Sequence, residues 1–213
     1  MKSILLALIC LLTFINVHSQ VKEITIKNKD FKITEKLSVL KSDKKIRHGS
    51  YEKYLYISNF NKNILLEKGQ YDNNKKVGIW TYYELNGDTT LQYCFDNDSI
   101  LIYNGSRVDG LKKNRPLLYL GSRIEIKFIS LYGIVMPVEG YKTGLSGEVI
   151  VEIQVSENAD VTGYSIKKGI NKSFDNEALR VAKLIPKSWL PLINNGERMK
   201  FSYNLPFNFL AQE

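Results

Sequence analysis

The 213-residue chain has little of what most enzymes and metal proteins use for chemistry. It holds two histidines and two cysteines, and one of each, His18 and Cys10, falls in an apolar N-terminal stretch. Beyond that stretch His48 and Cys94 stand alone. One histidine and one cysteine cannot build the usual zinc sets, and a single cysteine forms no intramolecular disulfide. A Ser-His-Asp or Cys-His device would have to use His48. That residue closes the basic run Lys44-Lys45-Ile46-Arg47-His48 and reads as a solvated turn residue. Cys94, between Tyr93 and Phe95 in a strand-like run, reads as a buried small hydrophobe. No glycine-rich loop follows a strand and opens a helix, as a phosphate cradle requires. Glu148 and Glu152 could be read as an acid–base pair, but acids at alternating strand positions are the pattern of a wet face. The expectation is a non-catalytic protein with no cofactor and no metal.

Long apolar runs are equally scarce. Ile4 to Val17 is the longest, and about 14 helical residues span roughly 21 Å, short of a ~30 Å hydrocarbon core. Lys2 precedes it, and Val17-His18-Ser19 supplies permitted residues at −3 and −1. Residues 1–19 therefore read as a cleaved secretory signal with Gln20 first in the mature chain, and the protein as periplasmic. The alternative is an uncleaved N-terminus anchored in the inner membrane. An exported chain without disulfides must be held by apolar cores.

The formal charge is +8, and removing Lys2 with the signal leaves +7. An exported protein does not meet the genome, so nucleic acid is not an expected partner. Anionic envelope polymers and lipid headgroups are, through attraction that salt screens. A plain lysine-rich wet surface accounts for the same charge.

All five prolines lie at or beyond Pro116. With Leu111-Lys112-Lys113-Asn114-Arg115 between, this shift places a boundary near residue 112. Residues 20–111 are rich in Tyr, Lys and Asn. Within them Gly49-Ser50-Tyr51-Glu52-Lys53-Tyr54, Gly69-Gln70-Tyr71 and Gly78-Ile79-Trp80-Thr81-Tyr82-Tyr83 repeat a glycine followed by an aromatic-rich strand. These units resemble MORN-like β-hairpin repeats. Stacked hairpins would bury aromatics that one hairpin cannot. Val21, Ile24, Ile26, Phe31 and Ile33 suggest edge strands before them.

Residues 112–213 read differently. Pro116 to Gly121 is an extended lead, and Ser122 can cap a helix with Ile124, Phe128 and Leu131 on one face. Val149, Val151, Ile153 and Val155 alternate with Glu148, Ile150, Glu152 and Gln154. Asn158 or Asp160 is expected to take the left-handed turn position. Tyr164 and Ile166 continue the apolar face. Ser173 is expected to cap a helix packing through Phe174, Ala178, Val181 and Leu184 or Ile185, ended by Pro186. Met199, Phe201, Tyr203 and Leu205 alternate as a last strand. The expected class is α+β: an all-β hairpin meander, then a β-β-α-β domain with helices on one side of a three-stranded antiparallel sheet.

The order from Gly147 to Phe209, with Met136-Pro137 before it and Trp189-Leu190-Pro191 between helix and last strand, resembles the C-terminal domain of TonB, the energy transducer of Gram-negative envelopes. In that family alanine is usual where Gly140 stands, so the small helix there is expected to be weakened. The resemblance implies that the last strand lies beside the first with its outer side open. A short segment of an outer-membrane receptor, or of another envelope protein, would then pair there by strand addition. Carried over, the binding positions are Arg198, Met199, Lys200, Phe201, Ser202, Tyr203, Asn204 and Leu205. Open edges also permit a homodimer. The other reading is a structural or immunity-type binder acting through the β-repeats. Trp189, Phe201, Tyr203 and Phe207 read as core.

Overall fold

The computed structural model describes residues 20–108 and 114–210. The expected signal, 1–19, and the boundary residues 111–113 lie outside the described part. Eight strands follow one another in sequence: β1 (Val21–Asn28), β2 (Ile33–Leu40), β3 (Arg47–Ile57), β4 (Lys62–Asp72), β5 (Lys75–Tyr83), β6 (Thr89–Cys94), β7 (Ser99–Tyr103) and β8 (Ser106–Arg107). They form one antiparallel sheet whose spatial order equals their chain order.

The glycine-aromatic pattern has a packing cause. A Cβ on Gly69 would stand 2.3 Å from the Trp80 ring, so the indole lies directly over the bare backbone. Tyr51, Tyr71 and Phe95 surround that indole with ring centroids 5.1–6.1 Å away, in the tilted and edge-on arrangements aromatic pairs prefer. Gly49 and Gly78 instead take positive φ, +100° and +62°, where a side chain would be strained.

A short strand β9 (Leu118–Tyr119), helix α1 (Arg123–Tyr132) and helix α2 (Val138–Thr143) come next. The second sheet then follows as β10 (Gly147–Val155), β11 (Val161–Lys168), helix α3 (Lys172–Ala182), β12 (Trp189–Leu190), β13 (Leu192–Asn194), β14 (Glu197–Met199) and β15 (Phe201–Phe209). Its order is β11-β10-β15, all antiparallel. Val149, Val151, Ile153 and Val155 are at most 2% exposed and pack on Phe174, Ala178 and Val181 of α3. The mixed α+β architecture is as the alternation predicts.

Several local expectations are corrected. Asn171, not Ser173, caps α3, because its side chain reaches the N–H groups of both Ser173 and Phe174. The helix ends at Ala182, ahead of Pro186, and Ile185 rather than Leu184 completes its buried stripe. Ala159 takes the left-handed turn position (φ +68°). Ser156 fixes that turn by accepting through its Oγ from the N–H groups of Asn158 and Asp160. Helix α2 forms despite Gly140, whose missing Cβ leaves room for Met136 and Phe174. Cys94 is half-buried rather than in the core. His48 belongs to β3, with Nδ1 3.2 Å from Asp72.

Helix α1 departs most from expectation. Ser122 caps it as expected, but Leu131 is 69% exposed. The buried residues are Ile124, Glu125, Ile126 and Ile129, which cannot share one face at helical spacing. They face two directions. Ile126 and Ile129 join the core of the second sheet, while Ile124 packs with Ile33, Leu55 and Leu66 of the meander. Leu118, Leu120 and Leu190 likewise join the meander core around Trp80 and Tyr82. The two sheets therefore share α1 and the β9/β12 ribbon as common walls.

Candidate functional site

Strand β15 lies at the edge of its sheet, paired to β10 from Gly147↔Phe209 to Val155↔Phe201. Among the described residues no main-chain hydrogen bond reaches its outer side. Pro206, opposite Ile150, sets the parity. A proline has no N–H to give the ladder, so its nitrogen belongs on the outer side of an edge strand. By alternation Ser202, Asn204 and Asn208 direct their main-chain groups outward with it.

The expected binding residues divide between two elements. Arg198 and Met199 belong to β14, paired with Ile193 and Leu192 of β13. Lys200 marks the break, and Phe201 to Leu205 open β15. The last strand also runs past Pro206 to Phe209, and its buried residues are Leu205, Phe207 and Phe209. Phe201, expected in the core, is 41% exposed; it is the first residue of β15, opposite Val155. Asn204 accepts from Lys167 Nζ at 3.3 Å. On the same wet face Glu148 meets Lys168 Nζ at 3.1 Å and Glu152 accepts from Ser165. Each of those acids thus has its own neighbour on β11, not the other acid.

Beside the edge lies a cleft of about 280 Å³ that the sequence does not announce. Tyr119, Trp189 and Tyr203 wall one side, with Tyr119–Trp189 and Trp189–Tyr203 centroids each 5.3 Å apart. Leu91 and Tyr103 of the meander wall the other, and exposed Arg123 stands at its margin. Gly121 is the one sequence signal for it, since a Cβ there would stand 2.3 Å from the Tyr119 ring.

Two clusters of charged side chains hold the sheets against each other. Lys53 Nζ lies 2.9 Å from Glu67 and 3.2 Å from Glu125 of α1, with all three side chains at most 10% exposed. Burial alone would lower the Lys53 pKa, but the two carboxylates outweigh it and hold it above the ordinary value. Burial raises Glu125, only partly opposed by Lys53. Arg115, read from sequence as part of a boundary, is 3% exposed. It exchanges main-chain hydrogen bonds with Ile193 (2.9 and 2.7 Å) and donates to the Pro191 carbonyl and to Asp98. Burial would raise Asp98, but hydrogen bonds from Tyr93 and Arg115 hold it below the usual carboxylate range.

Among the described residues no group of three potential metal ligands occurs and no helix is long and apolar enough to cross a membrane. Residues 136–210 match the family described as Gram-negative bacterial TonB protein C-terminal. No curated protein and no solved structure matches the chain. The matched span runs from Met136 through β15, and in it the β10-β11-α3-β15 order and the free last strand occur together. Residues 136–210 of this chain are a TonB-type C-terminal domain, the domain of a Gram-negative family of envelope proteins in transport energy transduction.

Proposed function

We propose that the protein is an exported, non-catalytic envelope adaptor that holds an extended segment of a partner, of the outer-membrane receptor type, along β15. The observation that carries this is the outward main chain of Ser202 and Asn204 on an edge without a ladder partner. In this reading residues 20–111 and 112–213 are two modules, and Gln20 begins the mature protein. Mass-spectrometric mapping of the N-terminal peptide of the exported chain tests the last point, and a start at Met1 rules out cleavage. For the edge, the full chain is mixed with synthetic N-terminal segments of outer-membrane receptors encoded beside it. Amide exchange at Ser202 and Asn204 slows if such a segment adds a strand. Unchanged exchange with every segment rules the reading out.

A second reading has one observation in its favour. On the outer face of β1–β4 a cleft of about 670 Å³ is lined by Lys27, Lys29, Lys32 and Lys36 together with Tyr54 and Tyr56. No acidic residue lines it, and Lys36 lies 5.2 Å from the Tyr54 ring centroid. Cations beside aromatic faces suit an anionic envelope polymer. Salt-sensitive retention on such a polymer, lost when Lys27 and Lys36 become Gln, would support action through the meander.

A further inference from the structure

We propose that the cleft between the meander and the final strand receives one large apolar side chain of the segment that pairs with β15, so that the meander helps choose the partner. This rests on the edge reading above and adds to it a specificity pocket that the TonB-type domain does not form alone.

The edge by itself is too short to hold a guest. Pro206 removes one donor, so the stretch from Phe201 to Leu205 offers the N–H and C=O of Ser202 and Asn204. Each such hydrogen bond contributes about 0.5–1.5 kcal/mol net. Ordering each guest residue costs about 1–2 kcal/mol. The ladder does not offset that ordering, and side-chain burial must supply the difference.

The geometry shows where. A guest residue opposite Tyr203 places its side chain beside the Tyr203 ring, on the same face of the sheet. On that face Ile153 of β10 already flanks Tyr203 from the inner side. Tyr203 itself lines the cleft, so a guest side chain on its free flank is placed toward it. At ~30 Å³ per molecule, its 280 Å³ is the space of about nine waters, enough for one large side chain. Its walls are aromatic and aliphatic, and two of them, Leu91 and Tyr103, come from β6 and β7 of the meander. Gly121 and Tyr119 both line it, and a side chain at Gly121 would collide with the Tyr119 ring.

The margin selects charge. Arg123 donates to the Asn104 side chain at 3.0 Å and has no acidic partner among the described residues. Arg198 and Lys200 add positive charge at the start of the edge. The chemistry therefore fits an extended acidic segment with an aromatic or leucine-sized residue opposite Tyr203.

The test uses the full chain and three decapeptides of threonine and glutamate that carry alanine, leucine or phenylalanine at one central position. Calorimetry gives affinities, and amide exchange at Ser202 and Asn204 reports strand pairing. Affinity should rise from alanine to phenylalanine by about tenfold or more, as burial of a large apolar side chain implies, with both amides protected. Tyr103→Ala, checked for unchanged thermal unfolding, should bring the phenylalanine-to-alanine ratio close to one. Equal affinities across the series with protected amides would overturn the pocket and leave the edge standing. Binding without amide protection, or a Tyr103→Ala loss shared equally by all three peptides, would also overturn it. No binding by any peptide would remove the edge reading itself, and the pocket with it. The series on the unaltered protein decides the matter even if Tyr103→Ala folds poorly.

Discussion

The eight-stranded meander and the three-stranded sheet are both antiparallel, yet they fill their inner faces with different chemistry. Behind β10 and β15 the core is aliphatic and phenylalanine-rich, from Val149 to Val155 and from Leu205 to Phe209. Behind β2–β5 it mixes tyrosine and tryptophan with charge. Lys53 pairs across to Glu35 and Glu67 in the strand register, and Lys76 holds its ammonium 3.8 Å from the Trp80 ring centroid. The edges differ too. The meander ends in the charged β1 and the two-residue β8, both poor templates for pairing. The small sheet ends in a nine-residue strand interrupted only by Pro206. The meander's edges are charged or very short, whereas the small sheet has a nine-residue strand at its edge.

The sharpest way to break this contrast is to remove one charge from the meander. Lys53→Ala would leave Glu67 and Glu125 buried side by side with nothing between them, and a broken buried pair costs about 3–5 kcal/mol. Ile153→Val in the aliphatic core should cost about 0.5–1.5 kcal/mol. Urea midpoints of the two variants measure both. If Lys53→Ala costs no more than Ile153→Val, the triad contributes nothing to joining the sheets. The combined change Lys53→Met, Glu67→Leu, Glu125→Leu should recover most of the loss, since an apolar replacement of similar volume removes the desolvation penalty.

This contrast also explains what could be read from the residues alone. Strict alternation in Gly147–Val155 exposes its buried face because every inward residue is aliphatic. In β3 the inward residues are Tyr51, Lys53 and Leu55, so the alternation is masked by a charged residue facing in. Helix α1 hides its packing for a related reason. A helix packed on one side shows one stripe, whereas Ile124, Glu125, Ile126 and Ile129 serve two cores. Phe201 and Met199 continue the alternation in sequence, but the strand is interrupted at Lys200 and they stand exposed. The cleft was illegible because its walls come from residues 90 to 203, and only folding brings them together.

A milder test concerns Lys76. Burial pushes its pKa down to about 8, although the facing indole and the Tyr82 hydroxyl, 3.4 Å away, favour the charged form. A lysine with a depressed folded pKa contributes stability that is complete above its unfolded value near 10.5 and is lost as pH falls through about 8. The protein should therefore gain stability as pH rises from about 8, by up to about 2 kcal/mol at pH 9.5 and about 3 kcal/mol by pH 10.5. Lys76→Met should flatten that rise and match or exceed the parent below pH 8. A parent whose urea midpoint is level over this window would show that the ammonium is better solvated than its burial implies.

The smallest effect should come from the edge itself. Pro206 is exposed and its nitrogen faces away from β10, so Pro206→Thr restores an outward N–H without disturbing the ladder. Stability should move by no more than about 0.5 kcal/mol, as for surface changes generally. Association should change more. With a donor at 206, the outward row runs unbroken from Ser202 to Asn208, long enough for two copies to pair edge to edge. Sedimentation over a concentration series should show the variant shifted toward dimer relative to the parent, with slower amide exchange at Ser202 and Asn208. If association and exchange are both unchanged, Pro206 is not what limits pairing, and the basic side chains of Arg198 and Lys200 become the better account. If the variant does shift toward dimer, the proline marks where a guest must stop. That leaves the five residues from Phe201 to Leu205, beside the cleft, as the part of the edge worth occupying.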